Sequence, residues 1–136
     1  MKWLLPTLLF LALLSLLPAA PTNPVLDAAA EVSEALAAGN FSEVKVEAAK
    51  LVAAATAAHD PTLEKSAGVV AIAPSLAQAR IAYKEVGAQT ALLAHGVTGY
   101  RVIFCPMVPA KWVQKGSAVR NPYYGVGEML SCGSVE

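Results

Sequence analysis

The residues of this chain best suited to specific chemistry lie between positions 100 and 133. Both of its cysteines, Cys105 and Cys132, are in this segment, together with Met107 and Met129, two of the three methionines. Two kinds of structure would explain why the sulfur atoms are concentrated there: a disulfide bond or a site for a soft metal ion.

The sulfur residues form two closely spaced pairs. Cys105 and Met107 are separated by one residue, so on an extended chain both side chains point to the same side. Met129 and Cys132 are separated by two residues, a spacing that a tight turn can close around one ion. Thiolate and thioether ligands select Cu(I), and by extension Ag(I), over harder ions, whereas zinc sites use cysteine, histidine and carboxylates. The four sulfur atoms therefore predict a metal site for one Cu(I) or Ag(I) ion.

The same cysteines support a second interpretation. An exported protein with two cysteines commonly joins them in a disulfide. A bridge between Cys105 and Cys132 would close a loop of about 27 residues and stabilise the protein by roughly 3 kcal/mol. Met107 and Met129 would then be ordinary core side chains. On spacing alone, both interpretations stay open.

Histidines and carboxylates contribute little to this segment. His59 and His95 are both predicted at helix C-termini, where the helix dipole favours a cation, and His95 is the nearer to the sulfur residues in sequence. Glu128 is the only carboxylate between positions 100 and 133. Because no nucleophile with an adjacent base is recognisable, the sequence predicts a protein that is not an enzyme.

Residues 1–20 are typical of a secretory signal peptide. Lys2 supplies a positive charge, residues 4–17 form a leucine-rich stretch, and residues 18–20 offer small side chains for cleavage. The apolar stretch is short for a membrane-spanning helix, which needs about 20 residues. We therefore expect an exported protein, and an uncleaved N-terminal anchor is the alternative.

The remaining chain has the length of one domain, residues 25–136, after a linker at residues 21–24. The chain has 10 Lys and Arg against 10 Asp and Glu. This balance provides no electrostatic footprint for nucleic acid or for an acidic membrane surface. Alanine, the strongest helix former, dominates the first two-thirds.

Four stretches of the domain have apolar residues at steps of three and four, the period of an α-helix. The predicted helices are 25–38, 41–58, 61–72 and 76–95. Capping boxes at Asn40 and Ser75, and a cap at Asp60 before a proline, mark three of the starts. Because short loops imply antiparallel neighbours, the sequence predicts a mainly α fold, an up-down bundle of three to four antiparallel helices.

After the fourth helix the pattern changes. Residues 100–105 alternate as in a short β-strand. Prolines and glycines then prevent any long regular element, although residues 111–115 are compatible with one helical turn. The bundle is therefore followed by an irregular C-terminal segment with a short β-strand. We expect Trp112, Tyr123 and Tyr124 to pack this segment onto the bundle, where they would also provide a hydrophobic shell for a metal.

The motifs of the C-terminal segment resemble those of a known family. They read Cys-Pro-Met at 105–107, Trp-x-Gln at 112–114, Asn-Pro-Tyr-Tyr-Gly at 121–125 and Met-Leu-x-Cys-Gly at 129–133. This order resembles that of a family of small bacterial periplasmic proteins, which is classified as a domain of unknown function. It is also similar to the heavy-metal-binding domain fused to the membrane-fusion adaptor subunits of copper and silver efflux systems. The resemblance covers the layout of the whole domain.

The resemblance implies a periplasmic protein of copper homeostasis. Such a protein would bind Cu(I), or Ag(I), through Cys105, Met107, Met129 and Cys132. It would buffer copper or pass it to an efflux adaptor or a copper chaperone, with no nucleic acid partner and no membrane contact beyond the export segment. The alternative function is a non-metal exported structural or interaction domain, closed by the disulfide between the two cysteines.

Overall fold

Four α-helices followed by a small antiparallel sheet make up the part of the chain that this computed structural model describes, residues 22–125 and 127–136. The predicted signal peptide, residues 1–20, lies outside these ranges. Among the described helices, none is long and apolar enough to cross a membrane. The mainly α fold class predicted from the sequence is confirmed.

The helices begin and end at residues that the sequence marks. They are α1 Pro24–Ala38, α2 Phe41–Ala57, α3 Pro61–Ala71 and α4 Leu76–Ala94. Each predicted boundary agrees to within one residue. Each helix has an N-cap side chain that accepts a hydrogen bond from the backbone N–H three residues further on. The four capping residues are Asn23, Asn40, Asp60 and Ser75. Pro24, assigned to the linker from sequence, is the first residue of α1, a position that suits proline.

The helices pack around a core of alanine, valine and leucine side chains. Helix α1 contacts α2 and α4, and α3 contacts α2 and α4. Tyr83 on α4 is fully buried, and its hydroxyl donates a hydrogen bond to the carbonyl oxygen of Ala29 on α1 at 2.8 Å. Because a buried hydroxyl needs a partner, this bond fixes how the two helices meet.

The C-terminal segment is more regular than the sequence predicts. Strand β1, Arg101–Cys105, is the predicted strand. It pairs antiparallel with β2, Ala110–Gln114, on one edge and with β3, Ser134–Val135, on the other. The predicted helical turn at residues 111–115 is wrong, because residues 111–114 are extended and pair with β1 as part of β2. A 3₁₀ turn at Glu128–Ser131 precedes β3.

Helix α4 lies directly against β2 because one residue of the helix has no side chain. A Cβ atom added at Gly87 would overlap the carbonyl oxygen of Lys111 and the hydroxyl of Tyr123. Glycine costs helix stability, but here it allows the backbone of the sheet to approach the helix. The sheet is thereby joined to the helical core, and the sulfur residues at its end are held in place.

Candidate metal centre

The 3₁₀ turn and β3 bring Cys132 back to Cys105. Strand β1 pairs with β3 so that Phe104 lies opposite Ser134. Because β3 begins at Ser134, Cys132 comes two residues before the strand, near the end of β1 that carries Cys105. The two side chains are hydrogen-bonded to each other, and both are free thiols. The two cysteines predicted as ligands are therefore in direct contact.

The sulfur of Cys105 is surrounded by hydrogen-bond donors. Its side chain is fully buried. Burial raises the pKa of the thiol, but hydrogen bonds from the Cys132 thiol, the backbone N–H groups of Val108 and Met107, and the side-chain amide of Asn121 lower it. These donors outweigh burial, so the pKa of Cys105 lies below its ordinary value, because hydrogen bonds to a thiolate favour the charged form.

Cys132 has the opposite character. Its hydrogen bond to Cys105, its partial burial and the negative charge of the Cys105 thiolate all raise the pKa of Cys132. The backbone N–H of Met107 also bonds to this second sulfur. The two thiols therefore titrate as a pair, in which Cys105 ionises first and Cys132 donates the hydrogen bond to it.

The two methionines lie close to the cysteines along the chain, one on a turn and one in the 3₁₀ segment. Met107 lies on the turn between β1 and β2, and its side chain is 68% exposed. Met129 is half-buried in the 3₁₀ turn, where its carbonyl oxygen accepts the N–H of Cys132 at 3.1 Å. The expectation that Met107 would be a core side chain, which went with the disulfide interpretation, is wrong.

The histidines have other surroundings. His59 follows the end of α2 with a positive φ of 56°. His95 caps α4 and lines a cavity of about 810 Å³ together with Val102, Lys111 and Glu136. Neither cysteine lines this cavity. Within residues 22–125 and 127–136, no three His, Cys, Asp or Glu side chains cluster together.

Asn121 connects the Asn-Pro-Tyr-Tyr-Gly motif to the sulfur residues. Its side chain is fully buried, and its Nδ2 donates to the carbonyl oxygen of Cys132 at 2.9 Å. Its backbone N–H donates to the carbonyl oxygen of Leu130 at 2.6 Å, and its Oδ1 accepts from the N–H of Tyr123 at 2.9 Å. The sequence marked Asn121 as part of a turn but did not reveal its bonds to both cysteines.

Tyr124, which the sequence analysis expects in a hydrophobic shell beside the site, lies near both cysteines. Partial burial raises the pKa of its hydroxyl, and the negative charges of Cys105 and Cys132 raise it further. The phenol therefore lies within electrostatic reach of both sulfurs. Its position in the motif, next to Tyr123, was the available signal.

The predicted packing of Trp112, Tyr123 and Tyr124 onto the helical core is confirmed. The ring of Tyr123 lies 6.0 Å from that of Tyr83 and 6.0 Å from that of Trp112, centroid to centroid. The Tyr123 hydroxyl donates to the carbonyl oxygen of Lys111 at 2.6 Å. A Cβ added at Gly133 would lie 2.7 Å from the Trp112 ring, so the residue after the second cysteine must be small.

Arg80 anchors the same motif to the helices. Its Nη2 donates to the carbonyl oxygen of Leu36, near the end of α1, at 2.8 Å, and its Nε donates to that of Pro122 at 3.2 Å. Partial burial lowers the pKa of the guanidinium, which nevertheless stays charged at neutral pH. The arginine thus holds the turn that carries Asn121.

A scan against protein-family models found no match, and searches of curated proteins and of solved structures found none either. The family resemblance thus rests on the sequence motifs alone.

Proposed function

We propose that this protein binds one Cu(I) or Ag(I) ion through the sulfur atoms of Cys105, Cys132, Met107 and Met129. The observation that carries the proposal is the contact between the two thiols, with Cys105 set among donors that favour its thiolate. Because the thiolate is the form that binds metal, the lowered pKa makes Cys105 the more readily ionised of the two thiol ligands.

The chemistry of the four side chains suits a soft monovalent ion. Two thiolates and two thioethers carry two negative charges and no hard oxygen, a set that favours Cu(I) and Ag(I). The half-exposed Cys132 and the exposed Met107 leave one side of the pair open to solvent. An ion would enter from that side, while the backbone N–H groups around Cys105 hold the first ligand in position, as surrounding hydrogen bonds do in metal sites.

The biological role that fits such a site is to buffer copper in the periplasm or to deliver it. An efflux adaptor or a copper chaperone would exchange the ion at the exposed Met107, where a partner's sulfur ligand has access. No catalysed reaction forms part of the proposal. The proposal includes an up-down arrangement of the four helices as the scaffold. The packing of α1 on α2, α2 on α3 and α3 on α4 supports this arrangement.

The test is an anaerobic titration of the reduced full chain with Cu(I) against a chromophoric Cu(I) chelator. We expect the protein to withdraw one equivalent of copper. Cys105→Ser and Cys132→Ser should each abolish tight binding, while the control His59→Ala should not change it. If the chelator keeps all the copper, or if Cys132→Ser binds as the unmodified protein does, the four-sulfur site is overturned.

The second candidate function is a structural or interaction domain closed by a disulfide. The contact between the thiols favours it too, because a disulfide needs the same proximity. A count of free thiols on protein isolated from the periplasm without added reductant separates the two. No free thiol and no bound metal supports the second candidate, and bound copper supports the first.

A further inference from the structure

The two contacting cysteines differ in their access to solvent. The Cys105 side chain has an exposed fraction of 0%, whereas Cys132 is only partly buried. A large reagent that approaches the pair from solvent therefore reaches the sulfur of Cys132 first. This asymmetry matters for thiol–disulfide exchange, in which access decides which sulfur is attacked.

We propose that Cys105 and Cys132 form a reversible disulfide, which a dithiol reductant opens by attacking the sulfur of Cys132. This inference rests on the proposed function, because opening the disulfide would restore the two thiols that bind the metal. The partner class it names is a protein that presents a reduced pair of thiols.

The exchange consists of two balanced steps. A thiolate of the reductant attacks the Cys132 sulfur, the bond between the two cysteine sulfurs breaks, and Cys105 leaves with the electron pair as a thiolate. The second thiol of the reductant then attacks the mixed disulfide and releases Cys132, which takes up a proton. The protein gains two electrons, and the reductant ends as a disulfide. Closure is the reverse, with a disulfide oxidant as the electron acceptor.

The hydrogen bonds favour Cys105 as the leaving sulfur. The backbone N–H groups of Met107 and Val108 and the amide of Asn121 point at it, so its negative charge is stabilised as the sulfur–sulfur bond breaks. These donors are held by the turn after β1 and by the bonds of Asn121 to the segment around Cys132. They need no rearrangement to receive the charge.

If the protein is exported, reduction of this disulfide would be needed before the metal can bind. The periplasm is oxidising, so two contacting thiols without metal would close there, and a closed pair offers no thiolate to copper. A site of this kind therefore needs a source of two electrons before each loading from the oxidised state. A reductant that attacks Cys132 from solvent meets that need.

The experiment maps the intermediate. The full chain is oxidised with glutathione disulfide and then mixed with a Cys-x-x-Cys reductant whose second cysteine is replaced by serine, which traps the mixed disulfide. Mass spectrometry after alkylation of free thiols should find the reductant on Cys132 and the alkyl group on Cys105. A reductant found on Cys105, or on both cysteines equally, overturns the proposal, as does an oxidised chain that never forms the internal disulfide.

Single-cysteine variants provide an independent measurement. Cys105→Ser leaves only the accessible thiol, and Cys132→Ser leaves only the buried one. With an aromatic disulfide reagent at neutral pH, we expect the first variant to react at least about tenfold faster, because access limits exchange. Equal rates would contradict the proposal. If either variant fails to fold, the trapping experiment on the unmodified chain still decides.

The copper titration distinguishes a failure of metal binding from a failure of disulfide exchange. If the reduced chain does not bind Cu(I) but the mixed disulfide with the reductant forms on Cys132, the metal-binding proposal fails and the exchange proposal stands. If the chain binds Cu(I) but never closes its disulfide, the metal role stands and the exchange proposal fails.

Discussion

The side-chain amide of Asn121 donates to the carbonyl oxygen of Cys132 at 2.9 Å, and the same amide hydrogen-bonds to the sulfur of Cys105. One buried residue of the Asn-Pro turn thus connects both cysteines, although it lies 11 positions from Cys132 in sequence. The turn motif and the two cysteine motifs are therefore parts of one structure, because Asn121 loses its partners if either segment moves.

Asn121→Ala should destabilise the protein and change its thiol chemistry together. Removing the amide leaves the Cys132 carbonyl without its partner, a loss of about 1–3 kcal/mol for a buried group. It also removes a donor from Cys105, so the pKa of that thiol should rise. Urea unfolding and the ultraviolet absorbance of the thiolate as a function of pH measure the two effects. The exposed Ser117→Ala is the matched control, and unchanged thiol titration in Asn121→Ala would contradict the bond to Cys105.

Gly87 and Gly68 should respond in opposite ways to alanine. At Gly87 a methyl group would overlap the backbone of β2 and the hydroxyl of Tyr123, whereas at Gly68 on α3 it meets no atom within 4 Å. We expect Gly87→Ala to cost about 1–3 kcal/mol, because overpacking forces shifts. Gly68→Ala should stabilise the protein by about 0.5–1 kcal/mol through helix propensity.

Urea unfolding of both variants, followed by circular dichroism, measures this difference. Because both changes place one methyl group in a helix, each variant is the control for the other. Similar free energies of unfolding for the two variants would show that the close approach of α4 and β2 is wrong.

The buried tyrosines predict that the protein loses stability in alkali. Burial raises the pKa of both Tyr83 and Tyr123 far above the ordinary value. A group whose pKa is raised on folding stabilises the folded state fully below its unfolded pKa, about 10 for tyrosine. That stability is lost as pH rises above about 10, because the unfolded chain then releases protons that the folded chain retains.

Absorbance of the phenolate during a rise in pH tests this prediction. The chain has 4 tyrosines, and Tyr83 and Tyr123 should ionise only as the protein unfolds. Tyr83→Phe and Tyr123→Phe should each lessen the loss of stability above pH 10. Ionisation of all the tyrosines in one step near pH 10, with the native circular dichroism retained, would contradict the burial.

The sequence predicted the helices closely because their signals are local. Asn40, Asp60 and Ser75 cap the helices they precede, and an unbroken apolar stripe follows each cap. The strands after β1 carried no such signal. Strand β2 is buried along most of its length, so it lacks the alternation of a half-buried strand. Strand β3 has two residues, and both strands depend on pairing with β1.

The candidate site was predicted from the types of its side chains, whereas the groups around Cys105 were not predicted. Cysteine and methionine indicate soft-metal chemistry by type, and their spacing suggested that they converge. The donors around Cys105 come from the backbone of Met107 and Val108 and from a distant amide, Asn121. Such donors depend on the path of the turn, which residue types do not encode.

Met107→Leu should separate metal binding from stability. The side chain is 68% exposed, and leucine has nearly the same volume, so the free energy of unfolding should change by less than about 0.5 kcal/mol. Loss of one thioether ligand should weaken Cu(I) binding by about tenfold or more, equivalent to about 1.4 kcal/mol. The chelator competition measures the affinity, and urea unfolding measures the stability.

The matched control is Leu92→Ala, a change at an exposed apolar side chain of α4 that is 81% exposed. It should alter neither copper affinity nor exchange with the chelator. If Met107→Leu retains the affinity of the unmodified protein, Met107 is not a ligand. The ion would then be held by the two thiolates with at most Met129, because Cys105 and Cys132 remain in contact without the thioether of Met107.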